Sequence, residues 1–138
     1  MLWTDRYLPG GDLLNYCNRR GLPLPPDDIN VITRHLIRAL VYLHNNNVIH
    51  ADVKLENCLF ASDSIDSLHL VDFGLSMNTR NISEIISGIR GTLNYRAPEI
   101  LTADQNKPML PQIGDRADVW AAGVVLFTLS VGFLPFNG

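Results

Sequence analysis

The sequence predicts an α+β fold, mainly helical, with one small β-hairpin. Three features carry that expectation. Ile29, Ile32, Leu36, Leu40 and Leu43 recur at three- and four-residue spacing, the apolar stripe of an amphipathic helix. Two short apolar runs, Cys58-Leu59-Phe60 and Leu68-His69-Leu70-Val71, flank a polar stretch from Ser62 to Ser67 that suits a hairpin connection. The 16 residues from Val119 to Leu134 include no charge. That stretch is shorter than the roughly 20 residues of a membrane span, contains Thr128, Ser130 and two glycines, and reads as a helix buried on all sides in a soluble protein.

The remaining elements follow in chain order. Pro9-Gly10-Gly11 is a turn, and Asp12 stands at the N-cap of a short helix carrying Leu13, Leu14 and Tyr16. Gly21 to Pro26, with three prolines, breaks that helix. Asp27 and Asp28 place negative charge where the dipole of the second helix favours it, and Asn45-Asn46-Asn47 can end it, because asparagine tolerates the left-handed conformation. Asn78 to Arg90 shows no strong period and reads as a long loop of the functional kind. Asp115 to Phe136 is the buried helix with its exit turn.

Composition narrows the class. With 138 residues, 46% apolar and 18% charged, the chain is an ordinary globular sequence, one domain or part of one. A net charge of −3 without a basic stripe argues against nucleic acid, and no basic amphipathic segment argues for a membrane surface. Cys17 and Cys58 form no paired pattern and read as reduced thiols of a protein in the cytoplasm or the nucleus. Met1 to Gly10, with Asp5, Arg6 and Pro9, does not resemble a signal peptide.

The chemistry concentrates in His50-Ala51-Asp52-Val53-Lys54-Leu55-Glu56-Asn57, which follows a helix and precedes a strand. Asp52, Lys54 and Asn57 therefore share one connecting loop. Fifteen residues after Asn57, at the end of the second strand, stands Asp72-Phe73-Gly74. A hairpin returns its ends to one side, so Asp52, Asn57 and Asp72 should share one small cleft. Phosphoryl transfer needs such a set: oxygen donors for magnesium, a carboxylate for the proton of the attacking hydroxyl, and a lysine against the charge of the moving group. Gly74 would allow a sharp backbone turn there.

These blocks resemble the protein kinase family, whose catalytic loop reads His-Arg-Asp-x-x-x-x-Asn and whose metal motif reads Asp-Phe-Gly. Further blocks match in the same order. Tyr7-Leu8-Pro9-Gly10-Gly11-Asp12-Leu13 resembles the hinge and the helix after it. Gly91-Thr92-Leu93-Asn94-Tyr95-Arg96-Ala97-Pro98-Glu99 resembles the loop that receives the substrate peptide. Asp118 to Gly123 resembles the start of the central helix, and Gly132 to Phe136 the turn after it.

The resemblance implies residues 1–138 of a partial, mainly helical C-terminal kinase lobe with its hairpin at the catalytic cleft. It implies ATP and Mg2+ as cofactors and a protein substrate. Asp52 would be the catalytic base and Lys54 the phosphate-facing lysine. Asn57 and Asp72 would hold the metal, the backbone near Arg6 and Leu8 would meet adenine, and Asp12 would reach the ribose. Lys54 and Thr92 resemble serine/threonine rather than tyrosine kinases, since together they can bracket Asp52 around a short aliphatic hydroxyl. Asp118 would hold the catalytic-loop backbone and His50 would pack beneath it. Phe73 and Trp120 read as core, Cys58 as a small buried hydrophobe, and His35, His44 and His69 as residues without a visible role.

Three departures qualify the resemblance. Ala51 stands where many kinases carry an arginine that pairs with a phosphorylated activation-loop residue, and Gly88 stands where that residue often lies. The expectation is a loop not governed by that contact, with Ser83 and Ser87 as the remaining phosphosites. No glycine-rich loop or strand lysine precedes Met1, and the sequence stops at Gly138, before the family's last helices. Glu99 would then lack its buried arginine, the helix from Val119 would expose an apolar face, and a fragment of this kind would be weak or inactive alone. Two readings from other classes compete: a non-catalytic, pseudokinase-like binding module, and a metal phosphoesterase using His50, Asp52, His69 and Asp72, which leaves the later blocks unexplained.

Overall fold

The computed structural model of the chain describes residues 8–80, 91–102 and 111–137, with backbone alone for 111 and 112. Helix α1, Leu13–Arg20, begins where Asp12 caps it: the carboxylate accepts the Asn15 N–H at 2.7 Å. It ends at Gly21, whose φ of 81° suits glycine and whose N–H returns to the Cys17 carbonyl. Helix α2, Pro26–Asn45, opens on a proline with Asp27 and Asp28 in its first turn, and Asn47, with φ of 61°, takes the left-handed residue just past its end. Ile32, Leu36, Leu40 and Leu43 of the anticipated stripe are buried, and Ile29 is partly buried against the same cluster.

The hairpin is present. Strands β3, Cys58–Phe60, and β4, Leu68–Leu70, pair antiparallel with Cys58 opposite Leu70. Their connection holds a 3-10 turn at Ile65–Ser67, tied by Ser67 Oγ to the Ser62 and Ser64 carbonyls, rather than a tight turn. The sequence showed no sign of three two-residue strands. Strand β1, Gly11–Asp12, adds to the free edge of β3, while β2, Val48–Ile49, pairs with β5, Met77–Asn78. Two residues are too few to display an alternation.

After a short helix α3, Pro98–Leu101, helix α4 runs Pro111–Val131, starting before Asp115. It is not buried on all sides. Ala121, Ala122, Val124, Val125 and Leu129 face the core, but Val119 is 54% exposed and Val131 41%. Trp120 is likewise 37% exposed and stacks on Phe136 at 5.6 Å instead of entering the core. An uncharged sequence reports hydrophobicity without direction, and α2 covers one side of α4. No helix among the described residues is long and apolar enough to cross a membrane. The fold is α+β, with α2, α4, α1 and the hairpin gathered round one core that includes Leu13, Ile32, Val53, Phe60, Val125 and Leu129.

Candidate active site

The segment His50–Asn57 connects β2 to β3, and its backbone is fixed from below by α4. Asp118, 2% exposed, accepts the His50 N–H at 2.8 Å on Oδ2 and the Ala51 N–H at 2.9 Å on Oδ1. These bonds hold Ala51 at φ of 66°, a left-handed conformation that a residue with a Cβ seldom adopts. The His50 ring joins the two halves of the site: Nε2 donates to the Val71 carbonyl at 2.9 Å and Nδ1 accepts the Asp52 N–H at 3.2 Å. Burial disfavours its charge and holds its pKa below the usual histidine value, in keeping with that neutral tautomer. Phe73 lies edge-on to the ring at 5.0 Å and is half-buried rather than core.

Asp52 is saturated with donors. Oδ1 accepts the Thr92 N–H at 3.0 Å and the Thr92 hydroxyl at 2.8 Å. Oδ2 faces Lys54 Nζ at 2.8 Å and Asn57 Nδ2 at 3.1 Å, and Lys54 Nζ also donates to Thr92 Oγ1 at 2.9 Å. Burial opposes ionisation, yet the bonds and charges from Lys54 and Thr92 outweigh it and hold the carboxyl below the usual aspartate range. The anticipated bracket of Lys54 and Thr92 about Asp52 is therefore present in atoms. Gly91 makes it feasible: at φ of 83° it lies so close to Ala51 that a Cβ would fall 2.5 Å from the Ala51 carbonyl oxygen.

Asn57 is anchored through its nitrogen, since Nδ2 donates both to the Asp52 carbonyl, at 2.8 Å, and to Oδ2. Its amide oxygen is the atom left to meet a cation. Asp72 is brought alongside by backbone: the Val71 N–H donates to the Asn57 carbonyl at 2.9 Å. Its carboxylate is exposed and accepts the Gly74 N–H at 3.2 Å, making no bond to Asp52 or Asn57. The left-handed residue of this turn is Asp72 itself, with φ of 64°, and not Gly74. Among the described residues no three His, Cys, Asp or Glu side chains cluster to hold a metal. One amide oxygen and one carboxylate nevertheless fit Mg2+, which keeps several waters and takes further oxygens from phosphates.

Arg6 lies outside the described residues, as do Ser83, Ser87 and Gly88. Leu8 is partly buried just ahead of the Pro9–Gly10 turn. Both carboxylate oxygens of Asp12 are engaged by Asn15, at 2.7 Å each. Glu99 is exposed. The histidines also need correction. His44 Nε2 meets Asp118 Oδ2 at 2.9 Å, His69 Nδ1 meets the Ser67 carbonyl at 2.8 Å, and His35 stands 3.8 Å from Asp66. The partner of His44 is 74 residues away along the chain, a distance at which no local pattern could have announced it.

The model of the protein kinase domain matches residues 2–138. The chain is 41% identical over 131 residues to the serine/threonine-protein kinase ppk25 of Schizosaccharomyces pombe, covering 95% of this chain and 29% of that protein. It is 38% identical over 126 residues to the phosphorylase b kinase gamma catalytic chain, liver/testis isoform, of Bos taurus, covering 91% and 30%. To the calcium/calmodulin-dependent protein kinase cmkA of Emericella nidulans it is 32% identical over 129 residues, covering 93% and 29%. The chain thus spans less than a third of the length of each of these relatives.

Proposed function

The chain belongs to the protein kinase family, and from that premise we propose that it carries the phosphoryl-transfer site of an ATP-dependent protein serine/threonine kinase. The observation that carries the reading is the four-donor grip of Thr92, Lys54 and Asn57 on Asp52. Asp52 takes the proton of the acceptor serine or threonine hydroxyl. Lys54, bonded to both Asp52 and Thr92, turns from Oδ2 toward the phosphoryl group of ATP, offsets its charge and leaves Oδ2 open to the hydroxyl. Asn57 and Asp72 hold Mg2+, which neutralises phosphate charge when bound. The Thr92 side chain narrows the space beside Asp52 to a short acceptor. The backbone about Arg6 and Leu8 meets adenine, and Asp12 reaches the ribose.

Ala51 offers neither charge nor donor to a phosphorylated loop residue, and its amide is already satisfied by Asp118. Regulation therefore runs by another route than a phosphate–arginine contact at this position. The buried, unpaired thiols of Cys17 and Cys58 fit a reducing compartment, the cytoplasm or the nucleus.

The test is phosphate transfer from Mg-ATP to a generic protein substrate, comparing this chain alone with the same chain grafted into the remaining length of the Schizosaccharomyces pombe relative. Asp52→Asn should lower transfer by the graft about 10²- to 10⁴-fold. An Asp52→Asn graft as active as its parent overturns the reading. The chain alone should be far weaker than the graft, because the reaction depends on aligning the phosphates.

A further inference from the structure

The pairing of β2 with β5 sets only Val48 opposite Asn78 and Ile49 opposite Met77. A ladder that short is a weak fastening by itself, yet it holds the chain as it leaves Asp72-Phe73-Gly74. Asn47 lengthens it by one step. Its carbonyl accepts the Thr79 N–H at 2.8 Å and the Thr79 hydroxyl at 3.2 Å. Its side chain adds a second attachment. With the amide oxygen toward Arg80, Asn47 accepts both Nε and Nη2 of the guanidinium, each at 3.0 Å; the opposite sense would set its NH2 group against those donors. The rigid fork of arginine thus closes on one acceptor, and the charge of the donor strengthens each bond. Arg80 is also held from its own strand, its N–H donating to Asn78 Oδ1 at 3.0 Å. We propose that Arg80 is a positioning residue of the phosphoryl-transfer site: its clasp on Asn47 fastens the chain that follows Asp72-Phe73-Gly74 to the corner between α2 and β2, and does so without a phosphate.

Asn47 is a firm anchor. It takes the left-handed conformation just past α2, at φ of 61°, which asparagine tolerates, and its N–H returns to the His44 carbonyl at 2.9 Å. From the clasp the path back to the site is short. Met77 of β5 is buried, and both the Ser76 N–H, at 3.0 Å, and the Ser76 hydroxyl, at 2.7 Å, donate to the carbonyl of Phe73, the neighbour of Asp72. Slack at Arg80 would pass through that turn to the Asp72 carboxylate. On the returning side, Gly91 packs against Ala51 and its carbonyl accepts from Arg96. Residues 81–90 therefore depart from one fastened point and come back to another. Ala51 has no charge to offer a phosphate, and Arg80 supplies a fastening built from the chain itself.

The positioning role rests on the phosphoryl-transfer reading; the clasp does not, and two measurements keep them apart. The first is amide hydrogen exchange at Thr79, corrected for intrinsic rates and followed by NMR in the unphosphorylated chain. Arg80→Ala should lower Thr79 protection about fivefold in the parent and change it less than about twofold in Asn47→Gly, where glycine keeps the left-handed backbone and the carbonyl but has no amide to grip. Asn47→Asp, which keeps the acceptor, should stay as protected as the parent. Arg80→Lys, which keeps the charge without the fork, should recover less than half of the loss. No fall in the parent, or an equal fall in Asn47→Gly, overturns the clasp; if Asn47→Gly fails to fold, Arg80→Lys as protected as the parent overturns it. The second measurement uses the chain grafted into the remaining length of the Schizosaccharomyces pombe relative. There Arg80→Ala should raise the Mg2+ concentration for half-maximal transfer about threefold or more, and Asn47→Asp should leave it unchanged. An unaltered Mg2+ dependence overturns the positioning role. A parent graft that transfers no phosphate sinks the kinase reading instead, and the Thr79 exchange still decides the clasp.

Discussion

At the scale of single residues, the site is a balance between burial and donors, and Thr92 tips it. Its hydroxyl gives one bond to Asp52 Oδ1 and accepts one from Lys54, so Thr92→Val removes both while keeping the shape and the backbone N–H bond. A carboxylate held below its usual pKa contributes stability above the unfolded value, about 3.9, and that contribution disappears as pH falls through the folded pKa. Thr92→Val should therefore raise the Asp52 pKa, read by NMR, and cost about 1.5 kcal/mol at neutral pH in denaturant unfolding. The cost should shrink in acid, and an Asp52 pKa indifferent to the substitution contradicts the bracket. The cysteines are governed by the opposite balance. Burial pushes the Cys17 thiol to about 11 and that of Cys58 to about 12. Both should resist alkylation at neutral pH until denaturant opens the core; modification of the native chain at the rate of a free thiol argues against that packing.

At the scale of elements, what the sequence disclosed were features whose cause lies within a few residues. The stripe on α2, the Asp12 cap, the Gly21 end and the β3–β4 pair each follow from a local period or a local hydrogen bond. Lys54 and Thr92 came together as the resemblance to the protein kinases implies. Features set by distant packing stayed hidden. His44 finds its partner on α4, the two-residue strands exist through their partners, and the outward face of α4 is decided by where α2 lies. Asp72 rather than Gly74 turns left-handed, a choice that composition assigns the other way. The Asp12 cap also separates structure from binding. Asp12→Ala should destabilise the chain by about 1 kcal/mol in urea, whereas Asp12→Asn retains an acceptor and most of that stability. If Asp12→Asn weakens nucleotide binding at unchanged stability, the carboxylate meets the ribose; equal binding would confine the residue to capping.

At the scale of the whole molecule, the apolar surface that α4 leaves outward decides how the chain behaves in solution. Val119, Phe127, Val131, Phe133 and Phe136 are exposed, and Phe127 and Phe133 meet edge to face at 5.8 Å. Beside them Ile37 and Leu126 border the seam between α2 and α4. An apolar surface of this breadth drives association, because each covered Å² is worth about 25 cal/mol. The chain by itself should therefore sediment with an apparent mass that rises with concentration and should bind an apolar dye in its native state. Val119 points outward from α4, so lysine there disturbs little packing, about 0.5 kcal/mol or less, whereas lysine at Phe127 also forfeits the ring contact with Phe133, about 1 kcal/mol more. Val119→Lys with Phe127→Lys should return the chain toward a monomer and cut dye binding severalfold, while leaving the His50 and Ala51 amides as protected as before. A parent chain that stays monomeric at high concentration, or a double-lysine chain that associates equally well, would show that the contact surface lies elsewhere than on α4.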